Sequence, residues 1–495
     1  MFDETDHNER YYTTAADLPG ADVSLCSRHA ELSVWRSFVM RQKIQRRVLS
    51  ILLVALCISA CQPTPGKEAV VYKGEDYLHS DSEAPFVRLE VSDHLTYSRD
   101  LNGLRLDVDA DVSIPGVDAY SVIEVEKARF TRADYERFVQ YFLPEGTPLY
   151  TTGDLTKKQI AERIVEFEEV LAKEPNERYE GVLPYMYELY ESAPDDASAN
   201  STLFSWEGLK SGDFFQPFFP VEGESYGCFN GTIDGNDFFI IRDYNTTPVG
   251  IDALEEGDLE WRDFSGEFPL TQQEAIAQAE QALRELGIEH LVATQAQKAC
   301  AYHSLTPLRP VSKGWKVICT RESNGLPSYY VDGAALWGNA PAPELGAPWN
   351  AERVIVYVDA EGVYSFSWQG AGRQKRILVE NVELLPLDDI LERAEKQLMY
   401  QHLPQDRQTP DFRLEVNCIR LGSSLVSVAN ETEIGRMIPT WDFCYDILYE
   451  NAETGQINSN SYVLTLNAID GSYIEPRIIK TTVDEVMQEV GGQNP

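Results

Sequence analysis

From Leu104 to Val112 the chain alternates apolar and charged side chains, LRLDVDADV, the period of a strand with one face in a core and one in water. A different period follows. Thr131 and Asp134 frame the start of a short helix, with Thr131 as the cap and Asp134 near the positive end of the helix dipole. Thr156 opens a longer helix through about Lys173, with Ile160, Ile164, Phe167, Val170 and Leu171 on one face. A third helix is expected from about Val182 to Ser192, ending in the Pro194-Asp195-Asp196 loop. Ser225–Ile233 and Asp237–Arg242 read as a hairpin turning at Asp234-Gly235.

From Leu270 one order of elements occurs twice. Thr271 and Glu274 make a capping box, Ala275, Ala279 and Leu283 form the apolar stripe behind it, and Gly287 ends the helix. Strands are expected around Lys298–His303, Gly314–Arg321, Arg353–Asp359 and Val363–Trp368, with a turn at Ala360-Glu361-Gly362. The second pass opens a helix at Leu385-Pro386-Leu387-Asp388-Asp389 that runs to about Tyr400. Strands follow around Phe412–Arg420, Leu425–Val428, Ile438–Tyr449 and Tyr462–Asn467, then a turn at Ala468–Gly471 and an exit through Ser472–Glu475. Each pass has a tryptophan in a middle strand, Trp315 or Trp441. The pattern predicts an α+β fold of helix-on-antiparallel-sheet modules, two of them in tandem at the C-terminus. The expected division is an N-terminal α+β region over 84–262, module 1 over 263–378, module 2 over 379–480 and a tail over 481–495.

Ahead of these lies MRQKIQRRVLSILLVALCISAC, from Met40 to Cys61. Arg41, Lys43, Arg46 and Arg47 form a basic segment. The apolar run Val48–Ile58 is of secretory-signal length, about half of what a spanning helix needs. Ile58, Ser59 and Ala60 then lead into Cys61. The arrangement resembles the lipobox of bacterial lipoproteins, with Ile58 where Leu is commoner. The resemblance implies a signal peptide over 40–60, recognition by a signal peptidase at Ile58, Ser59 and Ala60, and acylation of Cys61 with palmitate-like chains. The mature chain would then be anchored to membrane lipid on the extracytoplasmic face. Two acyl chains, at about 0.8 kcal/mol per buried methylene, outweigh repulsion of an acidic chain by an anionic surface, roughly 1 kcal/mol per charge within a Debye length. Met40 reads as the true start and 1–39 as an upstream extension outside the fold, with a cytoplasmic extension as the alternative. Residues 61–83, with Pro63, Pro65 and Gly66, read as a tether.

The net charge of −38, from 80 acidic and 42 basic side chains, excludes nucleic acid as a partner, since that needs a basic footprint. It suits a soluble body, a divalent cation or a basic partner. Past Cys61 the cysteines are Cys228, Cys300, Cys319, Cys418 and Cys444, an odd number without a CxxC. That pattern excludes the common zinc arrangements and fixes no disulfide pairing, so the five read as buried thiols. Asp107, Asp109 and Asp111 have the opening spacing of a calcium loop, but Val112 stands where such a loop needs Gly, and Asp118 where a bidentate Glu closes it. A solvated strand face accounts for them.

No HExxH occurs, and His79, His94, His290, His303 and His402 stand apart from one another. A carboxylate-pair glycosidase stays open, because its two acids need not be close in sequence. Asp470-Gly471 suits a tight turn better than catalysis. Phe214, Phe215, Phe218 and Phe219 offer either an exposed aromatic surface for a glycan or peptide, or a plug in a core. No cofactor is implied.

Two family resemblances rest on particular strings. Ile438-Pro439-Thr440-Trp441-Asp442-Phe443 with Leu466-Asn467-Ala468-Ile469-Asp470-Gly471-Ser472 is similar to PepSY-type domains, including those of membrane-anchored regulators of a Gram-positive cell-wall sensor kinase. Module 1 lacks the Pro before Trp315 and lacks the Asn-Ala-x-Asp-Gly string. The chain from Cys61-Gln62-Pro63-Thr64-Pro65 onward also resembles an uncharacterised lipoprotein family of gut Clostridia. The resemblances imply a regulatory or binding protein that engages a peptide, a peptidase or a membrane sensor. They bring no catalytic residues. A glycan- or solute-binding lipoprotein and a wall hydrolase are the alternatives.

Overall fold

The structure, a computed structural model, describes residues 86–478 apart from 152–154, 174–176, 196–201, 222–224, 245, 251–267, 304–305, 331–344, 404–411, 429–430 and 451–454. The expected signal peptide, tether and tail lie outside the described residues. The fold is mixed α+β, mostly sheet, with five helices and two large sheets among the described residues.

The first sheet is built on a long meander. Strand β16 (Phe412–Val428) pairs with β17 (Glu431–Glu450), β17 with β18 (Ile457–Asn467), and β18 with β19 (Tyr473–Ile478), all antiparallel. The expected break between Arg420 and Leu425 is absent. Gly422 continues the strand because the chain crosses it closely there: a Cβ at Gly422 would lie 2.6 Å from the Pro327 carbonyl oxygen. Helix α5 (Leu387–His402) precedes the meander and covers one face. Its Leu387, Ile390, Ala394 and Leu398 share a core with Trp441, Phe443, Leu464 and Leu466. The turn at Asp470-Gly471 is made as its residues require. Gly471 has φ +70°, and the Ser472 N–H donates to Asp470 Oδ1 at 2.9 Å.

The second sheet repeats that connectivity. Helix α4 (Gln272–Glu285) is followed by β9 (Leu291–His303), β10 (Thr306–Ser323), β13 (Arg353–Asp359) and β14 (Gly362–Gln369), again antiparallel neighbours. Thr271 and Glu274 close the capping box, and Ala275, Ala279 and Leu283 are buried against Val317, Val354 and Val356.

The N-terminal stretch 84–262 deals its strands to both sheets. β1 (His94–Leu101) and β2 (Leu104–Ser113) extend the first sheet, β2 lying parallel to β16. β3 (Val122–Lys127) pairs with β17 and with β15 (Gly372–Val379). β6 (Ser225–Thr232) and β7 (Phe238–Ile241) form the expected hairpin, and β7 adds to β14 of the second sheet. Alternation along β2 is complete: Leu104, Leu106, Val108, Ala110 and Val112 are buried while Asp109 and Asp111 are exposed. Helix α1 (Arg132–Phe142) carries the Thr131–Asp134 capping box and sets Tyr135 and Phe138 into the aromatic core of the second sheet. Helices α2 (Lys157–Lys173) and α3 (Glu177–Ser192) pack on each other through Ile160, Ile164, Phe167 and Met186. Helix α3 begins before the expected Val182 and runs through Pro184. No helix among the described residues is long and apolar enough to cross a membrane.

Candidate functional site

A cavity of about 550 Å³ is lined by residues of both sheets. Its apolar part includes Val125, Trp349, Leu425 and Met437, which with Ile123 form a small cluster drawn from β3, β16, β17 and the segment before β13. The polar part has two walls, each carrying an arginine–carboxylate pair.

On the second-sheet wall, Arg321 of β10 meets Glu352, the residue just before β13. Arg321 Nε donates to Glu352 Oε2 at 2.7 Å, and its Nη2 donates to the Gly372 carbonyl at 2.6 Å. Glu352 Oε1 also accepts from Trp368 Nε1 at 3.1 Å and lies 3.0 Å from His290 Nε2. Burial alone would push the Glu352 carboxyl up, but the His290 hydrogen bond and the Arg321 charge outweigh it and hold the group below its ordinary value. This pair is closed on itself.

On the first-sheet wall, Arg420 of β16 stands opposite Asp442 of β17 in register, with Nε 3.9 Å from Asp442 Oδ2. That is an ion pair without a hydrogen bond. Asp442 accepts from Thr465 Oγ1 at 2.7 Å, and burial, opposed by Arg420 and Thr465, pushes its carboxyl up. Arg420 Nε and Nη2 are buried with no acceptor in reach. The guanidinium instead lies over the Tyr329 ring at 4.1 Å. Arg353, from the facing wall, repeats the arrangement: its Nε is buried without an acceptor, and its guanidinium lies 4.3 Å over Tyr330. Two tyrosine-backed arginines thus face one space with donors to spare, and Glu475, itself buried, completes the lining.

Sequence reasoning missed every one of these groups. The signal was a carboxylate inside an apolar run, Trp441-Asp442-Phe443, and another just before Val354-Ile355-Val356. Asp442 entered only as part of the string that carries the PepSY resemblance, and neither carboxylate reads as a site, because the partners Arg420 and Arg321 come from other strands.

The residues singled out from the sequence sit elsewhere. Phe215, Phe218 and Phe219 are buried at 4%, 9% and 5%, and only Phe214, at 62%, is exposed. The aromatic run is mainly core, and the candidate binding surface contracts to one ring. Asp109 and Asp111 are bridged by His94, whose ring nitrogens lie 2.9 and 2.8 Å from them. No group of three or more potential metal ligands occurs among the described residues. Cys228, Cys300 and Cys319 are buried, while Cys418 and Cys444 are partly exposed. Ile58, Ser59, Ala60 and Cys61 lie outside the described residues.

The chain matches no family model and no curated protein. Among solved structures it is similar to an uncharacterized protein from Eubacterium rectale ATCC 33656, at 13% identity and a TM-score of 0.40, over 81% of this chain and 97% of that one.

Proposed function

We propose that the chain is a lipid-anchored, extracytoplasmic binding or regulatory protein, held at the membrane through acylated Cys61. Its two helix–meander units are PepSY-like modules in tandem, and the cleft between them receives a peptide, a peptidase segment or part of a membrane sensor. The observation that carries this is the pair of arginines with unmet donors, Arg353 and Arg420, approaching one cavity from two sheets. A buried donor without an acceptor costs about 1–3 kcal/mol, and more when charged. A ligand oxyanion satisfies such donors, and guanidinium forks match carboxylates in particular. With Trp349, Leu425 and Met437 beside them, the fitting ligand is a carboxylate on an apolar body, such as the C-terminus of a peptide.

The reading is tested in two steps. Native membranes should yield a protein partner enriched over a cytosolic control. Calorimetry with a short apolar peptide should show binding that falls at least tenfold on amidating its C-terminus or on Arg420→Gln. Failure to enrich any partner, together with no thermal stabilisation by peptides or glycans, would leave the proposal without support.

A wall hydrolase is the second reading, favoured by one observation: buried Asp442, its carboxyl pushed up, shares the cleft with buried Glu475. Turnover of wall glycan or peptide that disappears in Asp442→Asn would replace binding with catalysis. The glycan- or solute-binding alternative now rests on the cleft instead of the Phe214–Phe219 run.

A further inference from the structure

Two rungs along from the Arg420–Asp442 pair, the register sets Cys418 of β16 directly opposite Cys444 of β17. Opposed Cα atoms in an antiparallel ladder are about 4.5–5.5 Å apart, within the roughly 4.4–6.8 Å that a disulfide spans. The register therefore places these two within the Cα separation that a disulfide spans. They share a face with the charged pair: Cys418 and Arg420 are two apart on β16, Asp442 and Cys444 two apart on β17. Val463, opposite Cys444 on β18, lines the cleft. Both thiols are partly exposed, unlike Cys228, Cys300 and Cys319.

We propose that Cys418 and Cys444 are a redox-active cross-strand dithiol, converted to a disulfide by exchange with a small-molecule or protein disulfide. Cys418 is the attacking member. The hydrogen bond from the Cys444 thiol lowers it first, burial opposes, Arg420 lowers it further, and Asp442 and Asp111 act the other way. The Cys418 thiolate attacks one sulfur of the incoming disulfide and expels the first thiolate, leaving a mixed disulfide. Cys444 then loses its proton, attacks the Cys418 sulfur and expels the second thiolate. The two thiol protons end on the two leaving thiolates. The protein dithiol loses two electrons and the reagent disulfide gains them. The product staples β16 to β17 beside Arg420, so the oxidation state fixes the spacing of one cleft wall. This stands apart from the ligand reading, since the bridge forms or fails whether or not the cleft takes an oxyanion.

The test equilibrates the purified full-length chain in glutathione buffers from reducing to oxidising, quenches in acid, alkylates and maps the peptides. The expected result is a linked pair of peptides carrying Cys418 and Cys444, both thiols disappearing together, while Cys228, Cys300 and Cys319 stay free. Under reducing conditions at neutral pH, iodoacetamide should label Cys418 about tenfold faster than Cys444. Cys444→Ser should trap glutathione on Cys418, because the resolving thiol is gone. Free Cys418 and Cys444 in excess oxidised glutathione, or separate glutathione adducts with no bridge in the wild-type chain, would overturn the proposal.

Discussion

Two walls of one cleft hold the same pair of side-chain types in opposite states. Arg321 and Glu352 are hydrogen-bonded to each other, and Trp368 and the Gly372 carbonyl take up further valences. Arg420 and Asp442 stand at 3.9 Å, with two guanidinium nitrogens unmet and the carboxyl pushed up. A buried ion pair is stable only when its remaining donors and lone pairs are also satisfied. The closed pair therefore holds the second sheet to the chain that crosses toward the first. The open one keeps its bonding capacity for something else. Burial of charge is common to both walls; the unspent donors are what set the open pair apart.

The largest effect should come from breaking the closed pair. Glu352→Gln leaves Arg321 buried without a counter-charge, and removing one partner of such a pair costs about 3–5 kcal/mol. Urea unfolding at neutral pH should show that loss with an unchanged slope. A loss under about 1 kcal/mol would mean that the two walls do not differ in the way described.

Acid should separate the walls by sign. Glu352 has a folded-state pKa below its unfolded value, so its contribution is present above the ordinary Glu range and is lost as pH falls through the lower, folded value. Asp442 has a folded-state pKa above its unfolded value. Between the two values the folded state holds a proton that the unfolded state does not, so its contribution is greatest below the ordinary Asp range and declines as pH rises through the folded value. Each unit of elevation corresponds to about 1.4 kcal/mol. Stability of wild type relative to Asp442→Asn should therefore increase as the solution is acidified from neutral pH. A relative decrease would show Asp442 ionised and held by Arg420, a second closed pair.

These walls also show what a sequence carries. The helix cap at Thr131, the capping box at Thr271, the alternation from Leu104 to Val112 and the Asp234-Gly235 hairpin were legible, because each is written in residues within a few positions of one another. Pairing of β2 with β16 was not, since its two strands lie some three hundred residues apart and either could take another neighbour. The same holds for the cleft. Arg321 entered only as the last residue of an expected strand and Glu352 not at all, and it is the β10–β13 ladder that brings them together. Gly422 and its serine neighbours looked like a break in a strand. The crossing of Pro327 over Gly422, which explains the glycine, comes from another strand of the fold.

The smallest expected effect is the most informative about the open wall. Arg420→Gln removes a guanidinium whose Nε and Nη2 have no acceptor and whose nearest carboxylate is 3.9 Å away. The loss is the stack on Tyr329, worth about 0.5–2 kcal/mol. Against it stands relief of the desolvated donors, on the order of 1–3 kcal/mol. Asp442 loses a weak counter-charge, but its carboxyl is already pushed up and takes a proton more readily than an ordinary one. The terms nearly cancel, so urea unfolding should move by no more than about 1 kcal/mol in either direction. A loss as large as that of Glu352→Gln would make Arg420 a structural partner, and the donors assigned to a ligand would then belong to the fold.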